Sequence, residues 1–142
     1  MTKISSKTKI KVRYGETDQM GVVYHGNYAQ YFEIARIDWL DQLGFSYKKM
    51  EADGVMLPVV ALATQFKASA LFDDELTITT TLKNIPTAKI EFEYELHNQK
   101  GQLLTTGSTV LVFVSTTTKR PIKCPEAMLK KIQSLSETTE TP

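Results

Sequence analysis

The chain has 142 residues, a formal net charge of +1, and 42% hydrophobic against 23% charged residues. This length is typical of one domain, and this composition is typical of a globular protein. The near-neutral charge gives no overall field that would favour nucleic acid, and no window approaches the roughly 18 apolar residues of a membrane-spanning helix.

The termini and the cysteine content indicate a compartment and a domain layout. Residues 1–7 carry charges but no apolar segment, unlike a secretory signal, and the single Cys124 excludes an internal disulfide. We therefore expect a cytoplasmic protein. Because polar residues dominate both ends, we expect a frayed or disordered tail over residues 1–8, one domain over 9–133 and a disordered tail over 134–142.

The first predicted strand and the helix after it show different periods. Residues 9–14 alternate between basic and apolar side chains, which predicts a strand. After a loop over residues 15–21, apolar residues recur at helical spacing, with Asn27 as a plausible N-cap and Gly44 as a C-terminal stop. The main apolar stripe of this helix consists of Tyr28, Tyr31, Phe32, Ala35 and Trp39. A helix that is apolar over so much of its circumference should be covered on several sides.

The second half of the chain is predicted to be mostly strand. Four strands are expected over residues 57–70, 75–85, 89–98 and 102–117, and Pro125 begins a short C-terminal amphipathic helix. Antiparallel strands with one helix on one face make an α+β domain, so we expect a sheet of about five strands curled around the long helix. We interpret the last four strands as a meander and expect the long final strand to present its edge to a second copy.

Residues 18–28 combine several groups that could act on a carbonyl. Asp18 is a carboxylate close in sequence to Tyr24, His25 and the start of the predicted helix. A helix start presents unpaired N–H groups and the positive end of the helix dipole, which can stabilise an oxygen that gains negative charge. The carboxylate could activate water or attack directly. The spacing is also compatible with a structural role, in which Asp18 caps a turn and His25 packs under the helix.

The sequence offers no pattern typical of a cofactor site. It contains no phosphate-binding loop, no glycine-rich dinucleotide turn, no pair of Cys-x-x-Cys motifs and no Gly-x-Ser-x-Gly turn. A metal site would need three or four clustered ligands, whereas His25 and His97 lie far apart in unlike contexts. We therefore expect neither a metal nor another cofactor.

Residues 13–28 contain the run Asp-x-x-Gly-x-x-x-His-x-Asn-Tyr, which begins at Asp18. Together with Tyr31-Phe32-Glu33 and Ala35-Arg36, this run resembles the hot-dog-fold thioesterases of the 4-hydroxybenzoyl-CoA thioesterase group. The resemblance is strongest to a branch of bacterial acyl-CoA thioesterases associated with the Tol-Pal system. It continues through residues 57–60, 72–76 and 118–122, and it spans roughly residues 8–135. It implies a hot-dog fold, in which the curled sheet wraps around the central helix.

The resemblance also implies a reaction and the residues that perform it. The reaction is the hydrolysis of an acyl-CoA thioester, with Asp18 either as nucleophile or as general base. The backbone N–H at His25 would polarise the thioester carbonyl, while the side chains of Tyr24 and His25 would orient the thioester or the water. Because a thiol with a pKa near 8.5 leaves as thiolate, a carboxylate and an oxyanion donor could suffice.

Further residues are expected to bind the substrate. Asn27 and Tyr28 lie at the helix start, although Tyr28 belongs to the apolar stripe, and such a stripe on a buried helix is more often plain core. Glu33 can line the acyl pocket in the resembled group, but it could instead pair with Arg36 on the helix or serve as the catalytic acid. A basic cluster after the last strand, either a CoA phosphate site or a solvated strand end, comprises Thr118, Lys119 and Arg120.

The expected partners are the acyl-CoA substrate and further copies of the chain. We expect a homodimer or homotetramer with the active site at the interface, since the nucleotide often crosses a subunit boundary in this fold. An acyl-carrier-protein thioester is also possible as substrate, and the acyl group could be aromatic, short or long. Two alternatives remain: a non-catalytic acyl-CoA or acyl-carrier-protein binding module, and a hot-dog dehydratase, against which Asp18 in a thioesterase-type loop argues.

Overall fold

The computed structural model describes residues 4–139 as an antiparallel sheet with three helices. The helices are α1 (Tyr28–Leu43), α2 (Tyr47–Ala52) and α3 (Glu126–Thr139). The main sheet contains β1 (Ser5–Lys11), β3 (Val59–Phe66), β4 (Glu75–Leu82), β5 (Lys89–His97) and β6 (Leu103–Val112). Two short strands, β2 (Val55–Met56) and β7 (Val114–Ser115), pair with each other. The predicted α+β class and hot-dog arrangement are confirmed.

Helix α1 lies against one face of the sheet because both surfaces are apolar. The alternation along β5 places Ile90, Phe92, Tyr94 and Leu96 on the buried face. All five residues of the predicted helical stripe are buried, as are Leu40 and Leu43. Gly44 ends α1 in a left-handed conformation with φ of 102°, as predicted.

The Phe32 side chain of α1 packs directly on the backbone of Gly107 in β6. A Cβ atom at this position would lie 2.6 Å from the Phe32 ring and 3.1 Å from the backbone oxygen of Ala63. Phe32 in turn stacks on Tyr94, with ring centroids 4.4 Å apart and an interplanar angle of 14°. The absent side chain of Gly107 therefore lets the helix approach the sheet.

The strand order differs from the predicted meander. It is β1-β4-β5-β6-β3, so that β3 pairs with β6 and only β4, β5 and β6 follow one another. The segment between β3 and β4 crosses the end of the sheet: Lys67 N–H donates to the Leu104 oxygen over 2.9 Å, and Asp73 N–H donates to the Val12 oxygen over 3.1 Å. The expectation that the last long strand forms an edge was wrong, because β3 occupies the position beside it.

The ends of the elements also differ from the sequence pattern. β1 begins at Ser5, within the segment that we expected to be frayed, and stops at Lys11. The alternation suggested a strand up to Tyr14, but this residue begins a 3-10 turn and is 77% exposed. Helix α3 continues to Thr139, into the expected C-terminal tail. The outermost parts of both expected tails, residues 1–3 and 140–142, lie outside the described residues.

Replacement of Gly107 by Ala is expected to lower the free energy of unfolding by about 1–3 kcal/mol, because the new methyl group overlaps the Phe32 ring. Urea unfolding followed by tryptophan fluorescence measures this change. Ser108→Ala, on the opposite face of the same strand, is the matched control and should change stability much less. Equal stability of the wild type and Gly107→Ala would contradict the close-approach argument.

Candidate active site

Asp18 lies in a tight hairpin that precedes the helix start. Its backbone N–H donates to the Val22 oxygen over 2.9 Å, and Gly21 N–H returns a bond to the Asp18 oxygen over 3.0 Å. The Asp18 Oδ1 atom accepts a 2.9 Å bond from Met20 N–H. The side chain therefore does cap a turn, yet the residue stays exposed, and only Oδ1 takes part in the cap.

The start of α1 offers two backbone donors. A 3-10 turn over His25–Asn27 leads directly into the helix, and Asn27 N–H donates to the Tyr24 oxygen over 2.9 Å. Within residues 4–139, the N–H groups of His25 and Gly26 have no hydrogen-bond acceptor. Such free N–H groups at a helix start can receive an anionic oxygen.

Glu16 ties the Asp18 hairpin to this helix start. Its backbone oxygen accepts bonds from Tyr24 N–H and from Asn27 Nδ2, each over 2.9 Å. Its carboxylate is 12% exposed and accepts bonds from Arg13 Nη2 over 2.9 Å and from the Tyr31 hydroxyl over 3.0 Å. Sequence analysis missed Glu16 as part of the site, although its spacing of three from Arg13 was a signal for an ion pair.

Asn27 and Tyr28, both predicted to bind substrate, make contacts within the protein. The Asn27 amide donates to the Glu16 oxygen and makes no capping bond, because its backbone is already helical and the 3-10 turn extends the helix upstream. Tyr28 is 3% exposed, and its ring lies 5.1 Å from that of Phe66 on β3. Asn27 therefore links the helix start to Glu16 at the base of the Asp18 hairpin. The buried Tyr28 ring packs behind the helix start, against Phe66.

The rings of Tyr24 and His25 lie at the surface beside the free N–H groups. Their centroids are 4.4 Å apart, and the His25 ring lies 6.5 Å from that of Phe66. Both residues are exposed. The alternative interpretation, in which His25 packs under the helix, is therefore wrong.

The basic cluster lies at the other end of the same sheet. Thr118, Lys119 and Arg120 belong to a turn closed by Ser115, whose N–H donates to the Arg120 oxygen over 2.9 Å. This turn follows β7 near the Val59 end of β3, whereas the helix start adjoins the Phe66 end. The two ends of β3 are separated by roughly 23 Å at 3.3 Å per residue. One protomer alone does not bring the basic turn to Asp18.

A cavity of about 220 Å³ runs from the first turn of α1 toward the middle of the helix. It lies between α1 and β3 and is lined by Ala29, Gln30, Glu33, Arg36, Val59, Leu62 and Thr109. Glu33 lines this cavity and also lies 3.8 Å from the Arg36 guanidinium, so the pocket and pairing alternatives are both present. A larger depression of about 440 Å³ on the outer face of the sheet shares none of these residues.

No group of three or more His, Cys, Asp or Glu side chains in residues 4–139 is placed to hold a metal ion. None of the helices in this part of the chain is long and apolar enough to cross a membrane.

Known proteins similar to this chain carry thioesterase names. A sequence model described as the thioesterase-like superfamily matches residues 12–132. The acyl-CoA thioesterase YbgC of Haemophilus influenzae is 34% identical over 104 residues, which cover 72% of this chain and 75% of that protein. The acyl-CoA thioester hydrolase YbgC of Escherichia coli is 27% identical over 124 residues, covering 87% and 92%. A DHNA-CoA thioesterase structure from Staphylococcus aureus is 38% identical, with a TM-score of 0.88 over 97% of each chain.

Replacement of Glu16 by Gln is expected to weaken the fold most at neutral pH. The bonds from Arg13 and Tyr31 lower the pKa of the Glu16 carboxyl below its ordinary 4.5, although burial alone would raise it. Because the folded pKa is the lower one, ionised Glu16 stabilises the fold above its unfolded pKa, and this contribution is lost as the pH falls through the folded pKa.

Urea unfolding between about pH 7 and pH 3 measures this linkage. The stability difference between wild type and Glu16→Gln should shrink on acidification. Glu93→Gln, at an exposed position of β5, is the matched control. A difference that stays constant over the whole range would contradict the role of ionised Glu16.

Proposed function

This chain belongs to the thioesterase-like superfamily and is an enzyme of the acyl-CoA thioesterase class, and we propose that Asp18 is its catalytic carboxylate. The observation that carries this proposal is that hydrogen bonds to Glu16 hold two features of the site close together. One is the exposed carboxylate in the hairpin, and the other is the pair of free N–H groups at His25 and Gly26. An oxyanion donor and a base on one rigid support are the minimum that thioester hydrolysis needs.

The proposed reaction begins with the thioester carbonyl oxygen bound to the N–H of His25. In the general-base route, Asp18 takes a proton from water while the water oxygen bonds to the carbonyl carbon, and the carbon–sulfur bond then breaks. In the nucleophilic route, Asp18 itself forms the bond to carbon, and water hydrolyses the resulting mixed anhydride. In both routes CoA leaves as a thiolate, so no strong acid is required.

The N–H donor supplies much of the proposed rate acceleration, since a single oxyanion donor contributes about 3–4 kcal/mol. The exposed side chains of Tyr24 and His25 flank this donor and are proposed to orient the thioester or the water. The proposal requires neither a metal nor an organic cofactor.

A homodimer paired along β3 would complete the site. β3 is an edge strand, and its exposed apolar side chains include Val60, Leu62 and Phe66. Antiparallel pairing of two β3 strands across a twofold axis places the Val59 end of one copy beside the Phe66 end of the other. The basic turn at Lys119 and Arg120 of the second copy would then lie near the helix start of the first, where it could bind CoA phosphates.

Several finer assignments are part of the proposal. The chain is proposed to belong to the 4-hydroxybenzoyl-CoA thioesterase group and to its Tol-Pal-associated branch. It is also proposed to lie in the cytoplasm and to form a tetramer built from two such dimers. Glu33 is proposed to line the acyl pocket. The name of the similar Staphylococcus aureus enzyme makes DHNA-CoA one aromatic candidate substrate, and an acyl-carrier-protein thioester is a further candidate.

Asp18→Asn is expected to reduce thioester hydrolysis by about 100-fold or more, because the amide is neither a base nor a nucleophile. Free thiol released from a panel of short, long and aromatic acyl-CoAs measures the rate. Asp41→Asn, an exposed position in the last turn of α1, is the matched control and should retain wild-type rates. Equal rates in wild type and Asp18→Asn would remove Asp18 from the mechanism, and no release by the wild type would favour an acyl-CoA binding module.

Lys119→Ala combined with Arg120→Ala is expected to raise KM with little change in kcat, because these cations are proposed to hold CoA phosphates away from the reacting carbon. Co-expression of this variant with Asp18→Asn provides a test of the shared site. About one site in four in the mixed population would combine an intact Asp18 with an intact basic turn from the other copy. At low substrate, activity above the sum of both parents is therefore expected, and strictly additive activity would contradict a site shared between subunits.

A further inference from the structure

The Tyr24 ring occupies the space in which a side chain at position 26 would lie. A Cβ atom added to Gly26 would lie 2.6 Å from the Cε2 atom of this ring and 3.1 Å from its Cδ2 atom. Carbon atoms in contact are ordinarily about 3.5–4.0 Å apart, so the ring and a side chain at this position exclude each other. The ring therefore owes its place to the glycine.

Packing contacts alone hold the Tyr24 ring in this place. Within residues 4–139, the Tyr24 hydroxyl makes no hydrogen bond, and the residue is 49% exposed. The ring contacts the His25 ring, with centroids 4.4 Å apart and an interplanar angle of 41°, and the backbone of Gly26. Because half of the residue faces solvent, the ring can turn outward when its contact with Gly26 is lost.

The ring lies on the side toward which the free N–H groups point. In a helix each Cα–Cβ bond tilts toward the N-terminus, and the first N–H groups point in the same direction. A ring in the side-chain space of Gly26 therefore lies next to the unpaired N–H groups of His25 and Gly26. An aromatic ring at this place keeps water from competing for the two donors, and such donors stabilise charge more strongly where water is excluded.

We propose that Gly26 is a positioning residue, which lets the Tyr24 ring lie against the helix start and shield the oxyanion donors from water. This role rests on the proposed thioesterase function. A side chain at position 26 would displace the ring by about 1 Å and admit water to the donors. The interaction that is weakened forms only as the carbonyl oxygen gains charge, so kcat falls while KM is unchanged.

Gly26→Ala is expected to lower kcat about tenfold at constant KM, a part of the effect of losing a whole oxyanion donor. Its urea midpoint should equal or exceed that of the wild type, since the Gly26 backbone is not left-handed and alanine restricts the unfolded chain. A merely structural role would lower the midpoint and leave kcat of the folded enzyme unchanged. Gly15→Ala is the matched control, because a Cβ atom there meets no atom within 4 Å, and it should retain the wild-type kcat.

Variants of Tyr24 show whether the ring carries the effect. Tyr24→Ala should lower kcat by a similar factor, whereas Tyr24→Phe keeps the ring and should stay within about twofold of the wild type. In the Tyr24→Ala background, Gly26→Ala should change kcat by less than about twofold, because no ring is left to displace. A full tenfold effect in that background would mean that the new methyl group obstructs the substrate itself, and it would overturn the proposal.

Amide hydrogen exchange of the His25 N–H, followed by NMR without substrate, measures the shielding independently of activity. Exchange is expected to be faster in Gly26→Ala and in Tyr24→Ala than in the wild type and in Gly15→Ala. Equal exchange rates in all four proteins would overturn the shielding, whether or not the enzyme hydrolyses acyl-CoA.

The kinetic outcomes separate this inference from the proposed function. Hydrolysis with the same kcat in the wild type and in Gly26→Ala would overturn the role of Gly26 while the thioesterase function stands. A loss of kcat in Tyr24→Phe as large as that in Tyr24→Ala would assign the effect to the hydroxyl and would also overturn this role. No hydrolysis of any acyl-CoA by the wild type would overturn both proposals.

Discussion

The close packing of one helix on one sheet governs the rest of this molecule. Phe32 lies over Gly107, where no side chain separates helix from strand, and stacks on Tyr94. This contact allows α1 to lie close to β6, and the helix start lies beside the Phe66 end of β3. The position of the free N–H groups of His25 and Gly26 therefore depends in part on the contact of Phe32 with Gly107, about two helical turns away. Core packing and site geometry are therefore coupled.

Helix α1 leaves part of the inner face of β3 uncovered, and this uncovered surface bears on function. The inner face of an edge strand would ordinarily be buried, yet Leu62 and Phe66 are about half exposed. The gap between α1 and β3 is the cavity that ends at Arg36. An edge with apolar side chains and open backbone groups also favours pairing with another strand. One surface thus serves the proposed acyl group and the proposed second subunit.

Polar contacts add precision that the apolar core cannot provide. Glu16 connects the hairpin of Asp18 to the helix start through its carbonyl oxygen, and its carboxylate reaches the Tyr31 hydroxyl in the core. Each partner has an ordinary local explanation in the sequence: Tyr31 belongs to the apolar stripe, and Arg13 continues an alternating strand. Their meeting depends on where the strand ends and the helix begins, which periodicity places only to within a few residues.

The sequence by itself determined the fold class, the buried stripe of α1, the stop at Gly44 and the segment that carries Asp18 and His25. The fold class and the buried stripe depend on local spacing and on burial, which hydrophobic periodicity records directly. The stop at Gly44 depends on the left-handed conformation that glycine adopts, and the segment with Asp18 and His25 was identified from its residue types and from the family resemblance. Only the tertiary structure decided that β3 crosses to the far edge beside β6, that Asn27 holds a loop instead of capping a helix, and that the basic turn lies at the opposite end of the sheet from Asp18. An alternating strand pattern states which face is buried but not which strand is the neighbour, because every apolar face fits the same core.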